Sequence, residues 1–198
     1  ALTSPEIRAA ANYVVIGSEK VLSNISDRVL TDNISVLDLD NFTVNNALSH
    51  KPLPDSGKAS VEYILKGLDL AINGKIDALV TAPISKEAIK LAGYNYAGHT
   101  ELLKEKTSVE NVVMFMVGKG LRVSFVTTHL AVNEISGAIN QENVFSTIQI
   151  TATGLKTFFG IDQPKIAVCG LNPHCGDGDC FGTEERDVII PAIERAQE

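Results

Sequence analysis

Two stretches share one pattern: Val123-Ser124-Phe125-Val126-Thr127-Thr128-His129 and Ile166-Ala167-Val168-Cys169-Gly170-Leu171-Asn172-Pro173-His174. In each, a β-branched apolar run gives way to a polar segment that carries a histidine. Apolar runs of this length bounded by turn residues read as buried strands. In open α/β sheets, ligands bind in the crevice beyond the carboxyl ends of the strands, where loops converge. Two imidazoles delivered to one such rim, His129 and His174, are candidate ligands for a shared metal or an anionic substrate.

Working outward, similar runs alternate with longer helical patterns. Tyr13-Val14-Val15-Ile16-Gly17 and Ile34 to Leu39 read as strands, and Ser18 is placed to cap a helix running to Leu30. Asn41 to Lys58 is polar, holds Pro52, Pro54 and Gly57, and is expected to be a loop. From Ala59 to Asn73, Val61, Ile64, Leu65, Leu68 and Ile72 recur at helical spacing, and Gly74 is suited to end that helix. Ala78 to Ala82 is expected to be a short buried strand, followed by helices from Ser85 to Leu91 and from Thr100 to Thr107. Val112 to Val117 and Leu121 to Thr128 read as a hairpin through Gly118-Lys119-Gly120. Helices are expected over Glu142 to Phe159 and Thr183 to Gln197, with a strand over Lys165 to Leu171. Alternation of this kind implies α/β, with part of the sheet parallel. A boundary between two lobes is placed at the glycine-flanked segment Gly93 to Gly98, giving lobes 1–93 and 94–198.

Composition narrows the function. The 198 residues are 44% hydrophobic and 21% charged, as in ordinary globular proteins. A net charge of −7 without a basic patch argues against nucleic acid. No apolar run approaches the ~20 residues of a membrane span, and no leader pattern is visible at the start. Three cysteines, Cys169, Cys175 and Cys180, lack the Cys-x-x-Cys spacing of a zinc knuckle. With no secretory signal they fit free thiols in a cytoplasmic protein, Cys169 within a buried strand and the others in a loop.

The chemistry-bearing residues fall into a few short segments. Gly98-His99-Thr100-Glu101 opens a helix, where free N–H groups and the dipole favour an anion; Thr100 also reads simply as an N-cap. Lys86 follows a strand end, within reach of a cleft, and equally reads as a surface lysine. His50 sits in the polar loop and is assigned no role. The acidic loop Gly176-Asp177-Gly178-Asp179 lacks the ligand ladder of an EF-hand, and imidazole ligands favour zinc or a similar ion. A catalytic zinc usually has three protein ligands, so two histidines leave the set incomplete. There is no dinucleotide-binding Gly-x-Gly-x-x-Gly, no phosphate loop and no nucleophile elbow.

Thr81-Ala82-Pro83-Ile84-Ser85-Lys86, Gly98-His99-Thr100-Glu101, Thr127-Thr128-His129-Leu130 and Cys169-Gly170-Leu171-Asn172-Pro173-His174, followed by Gly182-Thr183-Glu184-Glu185, occur in this order. Together they resemble the 4-hydroxythreonine-4-phosphate dehydrogenase family of pyridoxal-phosphate biosynthesis. The resemblance implies α/β/α layers around a mixed sheet, as in isopropylmalate and isocitrate dehydrogenases, with two lobes incomplete at both ends. It further implies NAD and a divalent metal as cofactors, zinc ahead of magnesium or cobalt, and a homodimer that shares the metal site. By resemblance His99 and Thr100 contact a small phosphorylated substrate, and His129 and His174 are two of three histidine metal ligands. The third lies in a Tyr-His-Asp-Gln-Gly type motif that has no counterpart here, so the chain reads as the middle of such an enzyme and is expected to be inactive alone. The implied reaction is metal-assisted oxidation and decarboxylation of 4-phosphohydroxy-L-threonine. Alternatives are a dehydrogenase of threonate or erythronate phosphate, a zinc hydrolase using Asp177 or Asp179 as third ligand, and an inert dimerising domain.

Overall fold

A computed structural model describes residues 2, 4–25, 33–43 and 51–198. The chain is α/β and divides into two compact units, Ala1–Lys106 and Thr107–Glu198. His50 and the end of the helix expected to reach Leu30 lie outside the described residues.

The first unit starts with helix α1 (Pro5–Ala10) and strand β1 (Tyr13–Gly17), followed by helix α2 (Glu19–Ile25) and strand β2 (Ile34–Asp38). The strands pair in parallel, from Tyr13 opposite Ile34 to Gly17 opposite Asp38. Helix α3 (Pro54–Ile72) begins earlier than its apolar stripe suggests. Pro54 occupies a first-turn position, where its missing N–H costs nothing. The Ser56 hydroxyl donates to the Leu53 carbonyl at 2.8 Å. The expected loop therefore ends before Pro54. Gly57 is buried inside the helix because the backbone of Ala88 and Ile89 passes against it.

Helix α4 (Lys86–Leu91) is capped by the Ser85 hydroxyl, which accepts from Ala88 N–H at 3.2 Å. Helix α5 (His99–Thr107) follows. Val61 and Ile64 of α3, Ile89 of α4 and Leu102 of α5 form one buried cluster, with Tyr94 and Tyr96 packed on it. Residues 94–106 thus belong to the first unit, and the division falls at 106/107 rather than at Gly93. The expected strand Ala78 to Ala82 pairs with nothing among the described residues, and Val80 is 91% exposed.

In the second unit, β3 (Met114–Gly118) and β4 (Leu121–Phe125) form an antiparallel hairpin in which Gly118 faces Leu121. Gly120 supplies the turn's left-handed residue, φ 83°. A short turn (Val132–Glu134) and helix α6 (Ile135–Ala138) lead to α7 (Gln141–Phe159). Asn140 caps α7 by accepting from Asn143 N–H at 2.9 Å, and its buried stripe is Val144, Thr147, Thr151 and Leu155. Phe159 meets Phe115 of the hairpin edge-on, with Arg122 stacked over its ring at 4.7 Å. The chain then runs through a wide turn, Glu185–Ile189, into α8 (Ile190–Gln197). Pro191, which has no N–H to donate, is the second residue after that widened turn.

The expected strand Lys165 to Leu171 also joins no ladder among the described residues. Its burial still alternates: Ile166 and Val168 are half-buried while Ala167 and Cys169 are exposed. Cys169 is therefore an exposed thiol, like Cys175 and Cys180, and not part of a buried strand. No described helix is long and apolar enough to cross a membrane.

Candidate functional site

His99 is the first residue of α5, so Thr100 sits within the first turn and does not cap it. Leu102, 1% exposed, locks this helix into the core and fixes where the His99 ring emerges. Among the described residues the His99 Nε2 atom is buried and has no hydrogen-bond partner. An unpaired buried imidazole nitrogen is costly unless a ligand completes it. The positive dipole end of a helix start is an anion-favouring place. Lys86, the first residue of α4, is exposed. Its helix and that of His99 meet in one core through Ile89 and Leu102.

In the second unit, β4 ends at Phe125, and His129 follows in a polar turn with φ 57°, the left-handed region. Farther along, the segment after Leu171 folds back on itself. Asn172 accepts from His174 N–H at 2.9 Å and donates to the Phe181 carbonyl at 3.2 Å. The His174 ring stacks on Phe181 with centroids 5.2 Å apart. Cys175, Gly176, Asp177, Gly178 and Asp179 all have positive φ. Such a left-handed run is held against its intrinsic preference, a kind of strain that gathers at functional loops.

Two carboxylates that sequence reasoning quoted without a role brace these segments. The Ser136 hydroxyl of α6 donates to Glu184, which holds the Glu184 carboxyl below the usual carboxylate range. Leu171 N–H donates to Glu185 Oε1 at 2.8 Å. The sequence signal was the adjacent pair Glu184-Glu185 behind Gly182; nothing in it told which loops the pair would grip. Phe181, a stacking partner of His174, carried no signal.

Both candidate metal ligands, His129 and His174, are exposed on loops of the second unit. Their imidazoles suit a borderline divalent ion. Among the described residues no three His, Cys, Asp or Glu side chains form a group that would hold one. By residue type the two imidazoles would serve as part of a ligand set, which further donors would have to complete. Asp179, one acid that a hydrolytic zinc site would need, instead forms an ion pair with Arg186.

Residues 8–198 match the family model described as pyridoxal phosphate biosynthetic protein PdxA. A 4-hydroxythreonine-4-phosphate dehydrogenase from Desulforapulum autotrophicum is 38% identical over 100% of this chain and 63% of its own length. A Clostridium botulinum protein provisionally named D-threonate 4-phosphate dehydrogenase is 33% identical over 99% of this chain and 64% of its own. The crystal structure of a 4-hydroxythreonine-4-phosphate dehydrogenase from Burkholderia phymatum matches with a TM-score of 0.82 and 32% identity, covering 99% of this chain and 64% of that one. The chain spans a little under two thirds of the length of these relatives.

Proposed function

Since the chain belongs to the PdxA family of pyridoxal phosphate biosynthetic proteins, we propose that it serves the NAD-dependent oxidation of 4-phosphohydroxy-L-threonine. In that reaction a hydride leaves the carbinol carbon for NAD and the hydroxyl proton is lost. The carboxylate then departs as carbon dioxide, and the electron pair it leaves behind takes up a proton, giving 3-amino-2-oxopropyl phosphate. The observation that carries this reading is the buried, unpartnered Nε2 of His99 at the start of α5. His99 and Thr100 hydrogen-bond the anionic substrate there, assisted by the positive end of the helix dipole. Lys86 adds a cation for the carboxylate. His129 and His174 hold a divalent ion, zinc ahead of magnesium or cobalt. When bound, such an ion would supply Lewis-acid polarisation of the substrate hydroxyl, and NAD would be the hydride acceptor.

The relatives' likeness extends the proposal to architecture and assembly. The layering is that of isopropylmalate and isocitrate dehydrogenases, and the enzyme is a cytoplasmic homodimer whose partner helps complete the metal site. Of the four histidines, none remains to supply the family's third ligand once His50 and His99 are set aside, so these 198 residues alone are proposed not to turn over. A second substrate, D-threonate 4-phosphate, is favoured by the name of the Clostridium relative.

Calorimetric binding of each phosphorylated acid to this chain tests the assignment, alongside NADH formation by a longer form that contains it. Binding that weakens tenfold or more in His99→Ala and Thr100→Val supports it. Binding indifferent to both variants overturns it.

A further inference from the structure

Glu184 and Glu185 are neighbours in sequence, yet their carboxylates reach two different segments of the second unit. Glu185 Oε1 accepts from Leu171 N–H at 2.8 Å, just before the His174 turn. The same oxygen lies 3.0 Å from where a Cβ on Gly170 would stand, and Oε2 lies 3.2 Å from the Cβ position of Gly176. The carboxylate is thus wedged between the two glycines that flank His174. Side chains at those positions would crowd it out. Its Oε2 is buried and lacks a hydrogen-bond partner. Glu184 Oε1 accepts instead from the Ser136 hydroxyl of α6. That helix follows His129 through a turn in which Glu134 Oε2 accepts from Ala131 N–H at 3.0 Å.

The geometry points to Glu184 and Glu185 as a paired positioning device that holds the His129 segment and the His174 loop in fixed relation. The inference rests on the reading that these histidines serve one ion. The role assigned to each carboxylate is a positioning one, exerted through the Leu171 backbone and through Ser136. Partners of this outer kind typically change metal affinity ten- to a hundredfold when removed. The left-handed run from Cys175 to Asp179 explains why outside restraint is needed, because that backbone disfavours its own conformation.

Two measurements on this chain test the device, with cobalt(II) alone as the probe. One is the visible absorption of bound cobalt on titration; the other is amide hydrogen exchange across residues 170–176. Glu185→Ala is expected to speed exchange at Leu171 at least tenfold and to weaken cobalt binding about ten- to a hundredfold. Glu185→Gln keeps an acceptor oxygen in place and is expected to restore both to within a few-fold of the parent. Should the alanine variant fail to fold, Glu185→Asp withdraws the oxygen from Leu171 and takes its place. Unchanged exchange and cobalt affinity in the disrupting variant would overturn the inference. His129→Ala and His174→Ala separate the two readings. If the parent binds cobalt no better than they do, the two histidines do not hold the ion within this chain alone, and exchange at Leu171 decides whether the pair holds the loop.

Discussion

The Asp38 carboxylate accepts a hydrogen bond from Glu19 N–H at 2.9 Å, so the last residue of β2 caps the helix that follows β1. Its other oxygen accepts from Asp40 N–H at 2.8 Å. These backbone donors, Asp40 first and Glu19 second, hold its carboxyl below the usual range. A depressed folded value stabilises the fold above the ordinary carboxylate pKa, and that contribution disappears as pH falls through the folded value. Asp38→Ala is therefore expected to lower the thermal midpoint at pH 7. As pH falls below the ordinary carboxylate range and through that folded value, the two proteins should converge. Differential scanning calorimetry across the acid limb checks this, and a pH-independent difference would refute it.

Gly57 and Gly67 are both buried in α3, but what surrounds them differs. A Cβ at Gly57 would run into the Ala88 carbonyl and come within 2.7 Å of Ile89 N, which are backbone atoms with nowhere to go. At Gly67 the first obstacle is Leu79 Cδ1 at 2.5 Å, the end of a flexible side chain on an extended segment. Overpacking of a fixed neighbour costs roughly 1–3 kcal/mol or more. Gly57→Ala should fall at or above the top of that range in urea unfolding, and Gly67→Ala clearly below it.

Helical periodicity was the most readable part of this sequence. Val61 and Ile64, picked out by spacing, are 1% and 5% exposed. The hairpin and the helix opening at Ser85 were legible because turn and helix-start chemistry is local. Strands Ala78 to Ala82 and Lys165 to Leu171 were not, because β-branched composition reports a fit to a pleated surface and says nothing of a ladder partner. Gly57 read as a loop residue, since a glycine forced by a passing backbone looks the same in sequence as a turn glycine. At the site, the motif histidines stood out by residue type. The carboxylates that brace their loops did not, because that role depends on where Leu171 and Ser136 arrive in space.

Arg195 offers a test of which surface contact matters. It pairs with Glu142 at 2.7 Å, but the two side chains are 49% and 66% exposed. Its guanidinium also lies 3.6 Å above the Phe145 ring. An exposed ion pair contributes about 0–1 kcal/mol, and often nothing measurable; a cation over a ring adds about 0.5–1 kcal/mol even at an exposed site. Glu142→Ala should accordingly change stability less than Arg195→Ala, with Arg195→Leu no substitute for the cation. Equal losses in both alanine variants would assign the whole effect to the ion pair.

Asp177 carries φ 42° with its side chain exposed. A left-handed backbone costs an ordinary L-residue roughly 1–2 kcal/mol, less for aspartate, and glycine escapes it. Asp177→Gly is expected to raise stability by a few tenths to about 1 kcal/mol. Chemical denaturation of the pair measures it; a destabilised variant would mean the side chain makes a contact that outweighs the strain.

Between Pro164 and Gly170 half-buried and exposed residues alternate as they would along a strand, yet no ladder claims the segment among the described residues. An exposed row of amides and carbonyls is a template that accepts whatever extended chain comes first. Left to itself at high concentration, this protein should find that neighbour in its own copies, and its solubility should depend on how quickly a better-matched strand is offered.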